Sequence, residues 1–383
     1  MENMDFHFTA DEQRMIDQIH EFAVKEVAPL AAELDEQERF PAEAFKRLGE
    51  MNMMGVCYPK EVGGSGHSYL AYIAMVEELA KYCATTSIMF AAHHSLGGYA
   101  LSVLGTPEQK EKYLVPLMQG KKLGAFGATE PGAGSDLGGQ QTRAEDMGDH
   151  WLLNGSKIFI TNGYYADIYF ISAVTDPSQK SRGISAFIVE KGTPGFSFGK
   201  KEKKMGIRGS ATYELVFEDC KIPKENLLGE LGRGFKTALT TLDGGRISVA
   251  AQAVGIAQGA IDCCKKYVTE HMRGEQRISQ YQFTQFQLAD MQTKVDAARL
   301  LVHRAAQAKQ NNEPYAQYAA MSKLFAAETA VDTTRRCIDL VGLDGVSSKY
   351  PFERFMRDAK ITEIYEGTSE VQRMVISSSM GIK

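Results

Sequence analysis

The sequence predicts an α+β protein in three consecutive parts: a helical N-terminal domain over residues 1–121, a small β domain over 122–231 and a helical bundle over 232–383. Three observations predict it. Apolar residues recur at helical spacing up to about residue 120 and again after Gly234. Between Leu123 and Cys220 that period gives way to short runs of β-branched and aromatic residues. Turn-forming pairs such as Asn154-Gly155 and Asp176-Pro177 gather in the same middle stretch.

In the first part, Thr9 with Glu12 reads as a capping box, and Met15, Ile19, Phe22, Ala23 and Val27 follow at helical spacing up to Pro29. A second helix follows Pro41, and Pro59, Gly63, Gly64 and Gly66 punctuate a loop. Further helices are predicted over 69–82 and 87–104, and another begins at Thr106 with Pro107 in its first position. In the middle part, strands are predicted over 157–161, 168–174, 184–189 and 214–217, giving a small antiparallel barrel or sandwich. The charged run 200–204 reads as a solvated connection. In the last part, helices over 235–272, 283–311, 314–343 and 369–380 suggest a bundle.

Composition bounds the function. The chain has 383 residues, 44% of them apolar and 24% charged, as in ordinary globular proteins, and a net charge of −5 gives no reason to expect a nucleic-acid or anionic-membrane partner. The start Met1-Glu2-Asn3-Met4-Asp5 is acidic and unlike a signal peptide, and no apolar run approaches a membrane span. A soluble, cytoplasmic protein is expected. Six scattered cysteines without a C-x-x-C pair argue against zinc or a disulfide framework. His93-His94 has no helix-face partner at i+4 and reads as structural. No metal site is expected.

Two stretches could carry chemistry. Lys360-Ile361-Thr362-Glu363-Ile364-Tyr365-Glu366-Gly367-Thr368-Ser369 breaks an apolar-periodic run at Gly367, and Ser369 with Gln372 reads as the capping box of the next helix. Glu366 would sit in a tight turn between helices. There it is either a general base or a solvated glutamate favoured by the helix dipole. Taken alone, the stretch favours the solvated reading. The second stretch, Gly124-Ala125-Phe126-Gly127-Ala128-Thr129-Glu130-Pro131-Gly132-Ala133-Gly134-Ser135-Asp136, is a glycine-rich loop that could cradle a phosphate or a polar ring. It is neither a P-loop nor a Rossmann fingerprint.

Together with Asn154-Gly155-Ser156-Lys157-Ile158-Phe159-Ile160-Thr161-Asn162-Gly163, Leu242-Asp243-Gly244-Gly245-Arg246, Leu288-Ala289-Asp290-Met291 and Arg357-Asp358-Ala359-Lys360, these stretches resemble the flavin-dependent acyl-CoA dehydrogenases, most closely the short-chain (butyryl-CoA) branch. The resemblance runs from Phe8 to the C-terminus, and the fold it implies is also α–β–α. It implies FAD as cofactor and a reaction in which a carboxylate removes the α-proton of an acyl-CoA while the β-hydride passes to flavin N5, or the reverse reduction of an enoyl-CoA. Glu366 matches the base. Relatives that place the base beside the arginine of Asp-x-x-Arg would have it at Gly245, which cannot act.

Further roles follow from the resemblance. Phe126, Ala128, Thr129, Gly134 and Ser135 would border the flavin, with Thr129 at its pyrimidine edge. On the next marker, Phe159, Ile160 and Thr161 would meet the ring, Thr161 bonding N5 and Phe159 packing on it. Thr368 and Glu370 would lie near the adenosine half, and Gln282 is a further cofactor position. Ser135, Asp243, Arg246 and Gly367 would meet the CoA substrate, although Asp243 and Arg246 could equally form an i, i+3 salt bridge. An electron-transferring flavoprotein is the implied electron partner.

Two stretches depart from the family pattern. An Arg-x-x-Phe-Gly sequence is replaced by His271-Met272-Arg273-Gly274-Glu275, and Gln-x-x-Gly-Gly by Asp339-Leu340-Val341-Gly342-Leu343. In the family both grip the ADP half of a flavin whose ring lies in a neighbouring subunit. Two assemblies are therefore expected: a homotetramer in which Arg273 or another cation substitutes, or a hetero-oligomer in which a related chain supplies the ADP grip. A non-catalytic relative that uses the fold for binding is the remaining alternative, and the intact Glu366 and the acidic charge argue against it.

Overall fold

The computed structural model describes residues 6–382, so the acidic start Met1–Asp5 lies outside the described residues. The N-terminal part carries α1 (Ala10–Phe22), α2 (Ala31–Glu36), α3 (Ala42–Glu50), α4 (Tyr69–Tyr82), α5 (Ala84–Ala91), α6 (Tyr99–Leu104), α7 (Pro107–Gln109) and α8 (Val115–Met118). The Thr9–Glu12 capping box that opens α1 is formed in both directions. The single helix expected over 87–104 is instead α5 and α6 joined by a π-helical segment, Ala92–Gly98. Its cause is tertiary: a Cβ on Gly97 would lie 3.0 Å from the backbone of Gly124, so the helix gives way where a strand presses on it.

The middle part is a sheet of β1 (Gly124–Gly127), β2 (Arg143–Asp146), β3 (His150–Thr161), β4 (Ile168–Val174), β5 (Ile184–Glu190), β6 (Phe196–Lys201), β7 (Thr212–Pro223) and β8 (Leu227–Leu228). Its strand order is β6-β7-β3-β2-β4-β5-β8, with β1 beside β4. The expected antiparallel pattern holds for most pairs, but β1 and β2 each run parallel to β4. Gly124–Gly127, expected as loop, is therefore strand: Gly124 leaves room for the π-helical segment at Gly97, and Phe126 pairs with Phe170 of β4. The run 200–204 is also more than a solvated connection. Lys200 and Lys201 end β6, Lys201 Nζ donates to Glu38 O at 2.9 Å, and Lys204 Nζ donates to Ser210 O at 2.8 Å.

The last part contains α9 (Gly234–Glu270), α10 (Gln282–Gln310), α11 (Ala316–Val341), α12 (Phe352–Lys360) and α13 (Ser369–Ser379), with a two-stranded hairpin, β9 (Met272–Arg273) and β10 (Gln276–Arg277), between α9 and α10. One expectation needs correction here. By length and composition α9 is apolar enough to cross a membrane, yet 83% of its apolar window is buried inside the protein, where α4, α10, α11 and α12 pack around it.

The three parts meet at α12. Arg357 forms a two-point ion pair with Asp35, at 3.0 and 2.7 Å, and donates to Met205 O at 3.0 Å. Beside it, buried Asp358 accepts from Ile207 N at 2.5 Å, and burial raises its carboxyl to about 7. The structural reading of His93 also agrees with the contacts: its Nδ1 accepts from Gly124 N at 3.0 Å and its Nε2 donates to Leu117 O at 3.1 Å, as a neutral imidazole would. All six cysteines are free, and among the described residues no His, Cys, Asp and Glu gather into a metal-binding group.

Candidate active site

The Glu366 turn is built from its flanks inward. After α12 the chain makes one 3-10 turn, Ile361–Glu363, closed by Thr362 Oγ1 donating to Ala359 O at 2.7 Å. Two left-handed residues follow, Glu366 at φ +52° and Gly367 at φ +99°. A side chain in that region costs about 1–3 kcal/mol, so the surroundings must hold Glu366 there. Two donors do so through one acceptor: Lys323 Nζ reaches Gly367 O at 2.6 Å and Gln372 Nε2 reaches it at 2.8 Å. The expected Ser369–Gln372 capping box is not formed. Thr368 caps α13 by accepting from Val371 N, because the Gln372 side chain is turned back to Gly367.

The Glu366 carboxyl points at α9. A Cβ built on Gly245 would lie 1.8 Å from Glu366 Oε2 and 3.0 Å from Leu96 Cδ2. The glycine is thus a requirement of the carboxyl's position. Burial raises the Glu366 carboxyl to about 7, with Lys323 and then Arg246 acting in the opposite direction. Asp243 and Arg246 do form the i, i+3 ion pair. Arg246 Nε, Glu366 Oε2, Ser369 Oγ and Gln372 Oε1 are nevertheless all buried without a hydrogen-bond partner. Such atoms are rare in folded proteins, and here four of them lie on the turn, on the first residues of α13 and on α9. They are what a bound polar molecule would meet.

The glycine-rich segment is fixed from beneath. Lys157 is fully buried and donates to Glu130 Oε1 at 2.7 Å, to Gln140 Oε1 at 2.8 Å and to Ala128 O at 3.3 Å. Glu130 in turn accepts from Gln141 N at 2.6 Å and Thr142 N at 3.0 Å. Above this base the surface is open: a Cβ on Gly132 or Gly134 would meet nothing within 4 Å, and Ser135 is exposed. Ile158 N donates to Thr129 O at 2.8 Å, which sets the segment against β3. One residue on, Phe159 is held at φ +58° with 58% of its surface exposed. A bulky aromatic in that conformation, facing outward, leaves a flat apolar face free for a planar ring.

The fold therefore brings Phe126, Ala128 and Thr129 together with Phe159, Ile160 and Thr161. Ala128 packs with Leu137 and Ala238, and Phe126 joins them beside Phe235 and Leu242, which ties the group to the turn of α9 that carries Asp243 and Arg246. Ile160 faces the core at 2% exposure, so only its main chain is available to a ligand. Gln282, Thr368 and Glu370 differ: among the described residues no hydrogen bond or ion pair joins them to the Phe126–Thr161 group, and Gln282 stands exposed at the start of α10.

Comparison with known proteins identifies the fold's lineage. The acyl-CoA dehydrogenase N-terminal, middle and C-terminal domain families match residues 9–121, 125–220 and 232–381. The chain belongs to the acyl-CoA dehydrogenase family. It is 52% identical to the short-chain specific acyl-CoA dehydrogenase of Clostridium acetobutylicum, over 98% of this chain and 100% of that one. Among solved structures, butyryl-CoA dehydrogenase from Megasphaera elsdenii superposes with a TM-score of 0.97 at 48% identity, covering 98% of this chain and 99% of that chain. A chain from work on the electron transferring flavoprotein of Acidaminococcus fermentans and flavin-based electron bifurcation does so with a TM-score of 0.97 at 50% identity, covering 98% and 99%.

The two stretches that depart from the acyl-CoA dehydrogenase pattern meet in space. Arg273 Nη2 donates to Leu340 O at 2.8 Å, and Asp339 is paired with Arg335 at 2.7 Å. His271 stacks on Tyr267 with ring centres 3.8 Å apart, and its Nδ1 donates to Tyr267 O at 2.9 Å. Sequence reasoning missed Lys323. The signal was there: Lys323 falls on the small apolar stripe Ala319, Ala326, Ala327 and Ala330 of α11, where an unpaired lysine needs a reason.

Proposed function

We propose that this chain dehydrogenates a short-chain acyl-CoA of butyryl size to the trans-2-enoyl-CoA, or runs the reverse enoyl-CoA reduction, with Glu366 moving the α-proton. The observation that carries this reading is the Glu366 carboxyl. It is buried, has one oxygen without a partner, and is raised to about 7 by burial, where a carboxylate can both take and return a proton near neutral pH.

An α C–H adjacent to a thioester is far less acidic than a carboxylic acid, so the charge arriving on the thioester oxygen needs fixed donors. In this chain the Glu366–Gly367 main chain, pinned from Lys323 and Gln372, offers such donors beside the base. The open face over Gly132, Gly134 and Phe159 fits FAD, with Thr129 and Thr161 as its polar neighbours and Phe126, Ala128 and Ile160 beneath. FAD supplies the two-electron acceptor for the β-hydride. Ser135, Asp243, Arg246 and Gly367 orient the CoA thioester, and Arg246 Nε is the donor still free to do so. An electron-transferring flavoprotein is the proposed redox partner.

The direct test mixes flavin-loaded protein with butyryl-CoA and follows the flavin band near ~450 nm, a property of the cofactor. Bleaching is expected, and no bleaching with any acyl-CoA would overturn the reading in favour of a binding role.

One observation favours a second statement about assembly. In the departing stretches Arg273 is used on Leu340 O at 2.8 Å and Asp339 is paired with Arg335 at 2.7 Å, which leaves little to grip a neighbour's cofactor. A hetero-oligomer with a related chain follows from that. One FAD per chain in a singly expressed homotetramer would overturn it.

A further inference from the structure

We propose that Lys323 is the positioning residue of the Glu366 turn and the buried counter-charge to its carboxylate: its ammonium fixes the left-handed Glu366–Gly367 backbone through the Gly367 carbonyl and places a positive charge one residue from the base. The proposal rests on the reading of Glu366 as the proton-transferring group.

The geometry separates two functions that a single hydrogen bond would hide. Gly367 O accepts from Gln372 Nε2 at 2.8 Å, and Lys323 supplies the second donor to the same oxygen. A neutral donor would hold the turn as well without the cost of burying an ammonium. Lys323 is nevertheless fully buried, and among the described residues it makes no ion pair within 4 Å; its one hydrogen bond is the 2.6 Å contact to Gly367 O. A buried cation so placed is explained by a charge it balances, and Glu366 is the residue directly before its acceptor, Gly367. Burial lowers the Lys323 ammonium to about 8, and the first charge that opposes this is Glu366; on Glu366, the first charge that opposes burial is Lys323.

The other groups facing this pair are few. Arg246 comes from α9, but its guanidinium is engaged by Asp243. Tyr72 on α4 and Tyr365 both feel the Glu366 charge and are themselves held protonated by burial. Glu363 and Glu370 act on Lys323 from the flanks of the turn. Of the two cations near the base, Lys323 alone has no carboxylate of its own.

Removing the charge should therefore raise the Glu366 pKa and leave less carboxylate at any pH below it. The test uses the full-length, flavin-loaded protein. The Glu366 carboxyl is titrated by infrared spectroscopy, its C=O band assigned by its loss in Glu366→Gln, and the pH profile of flavin reduction by butyryl-CoA is recorded beside it. Lys323→Gln keeps a donor for Gly367 O and removes the charge. It is expected to move the infrared midpoint and the acidic limb of the profile up by a pH unit or more, about a tenfold loss of rate per unit at pH values below the midpoint, with recovery as pH rises. Lys323→Met, of similar length, is expected to add a loss at all pH values. Lys323→Arg is expected to keep the midpoint within half a unit of wild type, and Gln372→Leu to slow reduction without moving it. An unmoved infrared midpoint in Lys323→Gln overturns the proposal, as does a chain that folds with no neutral residue at 323. Wild-type protein that never bleaches would sink the functional reading instead, while the infrared midpoint would still report on Lys323.

Discussion

The Glu366 turn and the corner where His271–Glu275 meets Asp339–Leu343 are built from similar materials and end in opposite conditions. Both are turns beside helix ends with a cation nearby. At the turn, polar atoms are buried and left without partners: Glu366 Oε2, Arg246 Nε, Ser369 Oγ and Gln372 Oε1. At the corner they are spent locally, Arg273 on Leu340 O and Asp339 on Arg335, while Leu343 and Val346 stand 85% and 63% exposed. The difference teaches how to tell a site that awaits a small ligand from one that does not. The first keeps unsatisfied polar groups in a dry, rigid frame; the second satisfies them and shows solvent an apolar surface of the kind another chain would cover.

The comparison can be broken or sharpened from either side, and the largest effect is expected at the base. Glu366→Gln keeps size and hydrogen bonding and removes the proton acceptor, so flavin reduction should fall by about 10²–10⁴-fold while acyl-CoA still binds and perturbs the flavin spectrum. Stopped-flow reduction together with a binding titration checks this; wild-type rates would return Glu366 to the status of a bystander.

Gly245→Ala comes next, since its Cβ would lie 1.8 Å from the carboxyl oxygen. Overpacking of this kind costs about 1–3 kcal/mol, to be read in thermal unfolding, with at least a tenfold loss of reduction rate as Glu366 is displaced. An alanine variant with unchanged rate would show that the turn is softer than its contacts suggest.

A smaller effect tests the scaffold under the turn. Asp358 is raised from an ordinary aspartate to about 7 by burial, so its folded-state pKa exceeds its unfolded one. Its contribution to stability is full below the unfolded value and is lost as pH rises through the folded one. Asp358→Asn keeps an acceptor for Ile207 N and cannot ionise, so its melting temperature should gain on wild type as pH rises from about 4 to about 7. A constant difference across that window would remove Asp358 from the account.

The smallest effect belongs to the corner. Arg273→Ala loses one hydrogen bond from an exposed side chain to a carbonyl, worth about 0.5–1.5 kcal/mol at most. Flavin content should not change. If it collapses, Arg273 grips the cofactor and the contrast between the two regions fails.

Much of the fold was legible because local signals decided it. Helix α4 runs from Tyr69 to Tyr82, as its apolar spacing requires, with Ser68 capping it. The π-helical segment at Ala92–Gly98 and strand β1 were not legible, since each exists because of the other: Gly97 and Gly124 approach closely, and no window of sequence contains both. At the site, Glu366 could be picked out only by its resemblance to a family motif, because spacing alone does not distinguish a base from a solvated glutamate. The roles of Gln372 and Lys323 depend on a carbonyl presented from another helix. The first was misread as a cap and the second was overlooked on an apolar stripe.

Gly245 has a consequence for how such a site can change. A carboxylate on the turn and one at position 245 of α9 would share a single slot in this chain, because a Cβ at Gly245 already touches the Glu366 carboxyl. Moving the base between helices therefore requires emptying the slot before refilling it. Glu366→Gly leaves a cavity and no base, and Gly245→Glu alone forces two carboxyls into one volume. In this chain, a path between the two arrangements therefore passes either through a turn without a base or through a slot holding two carboxyls.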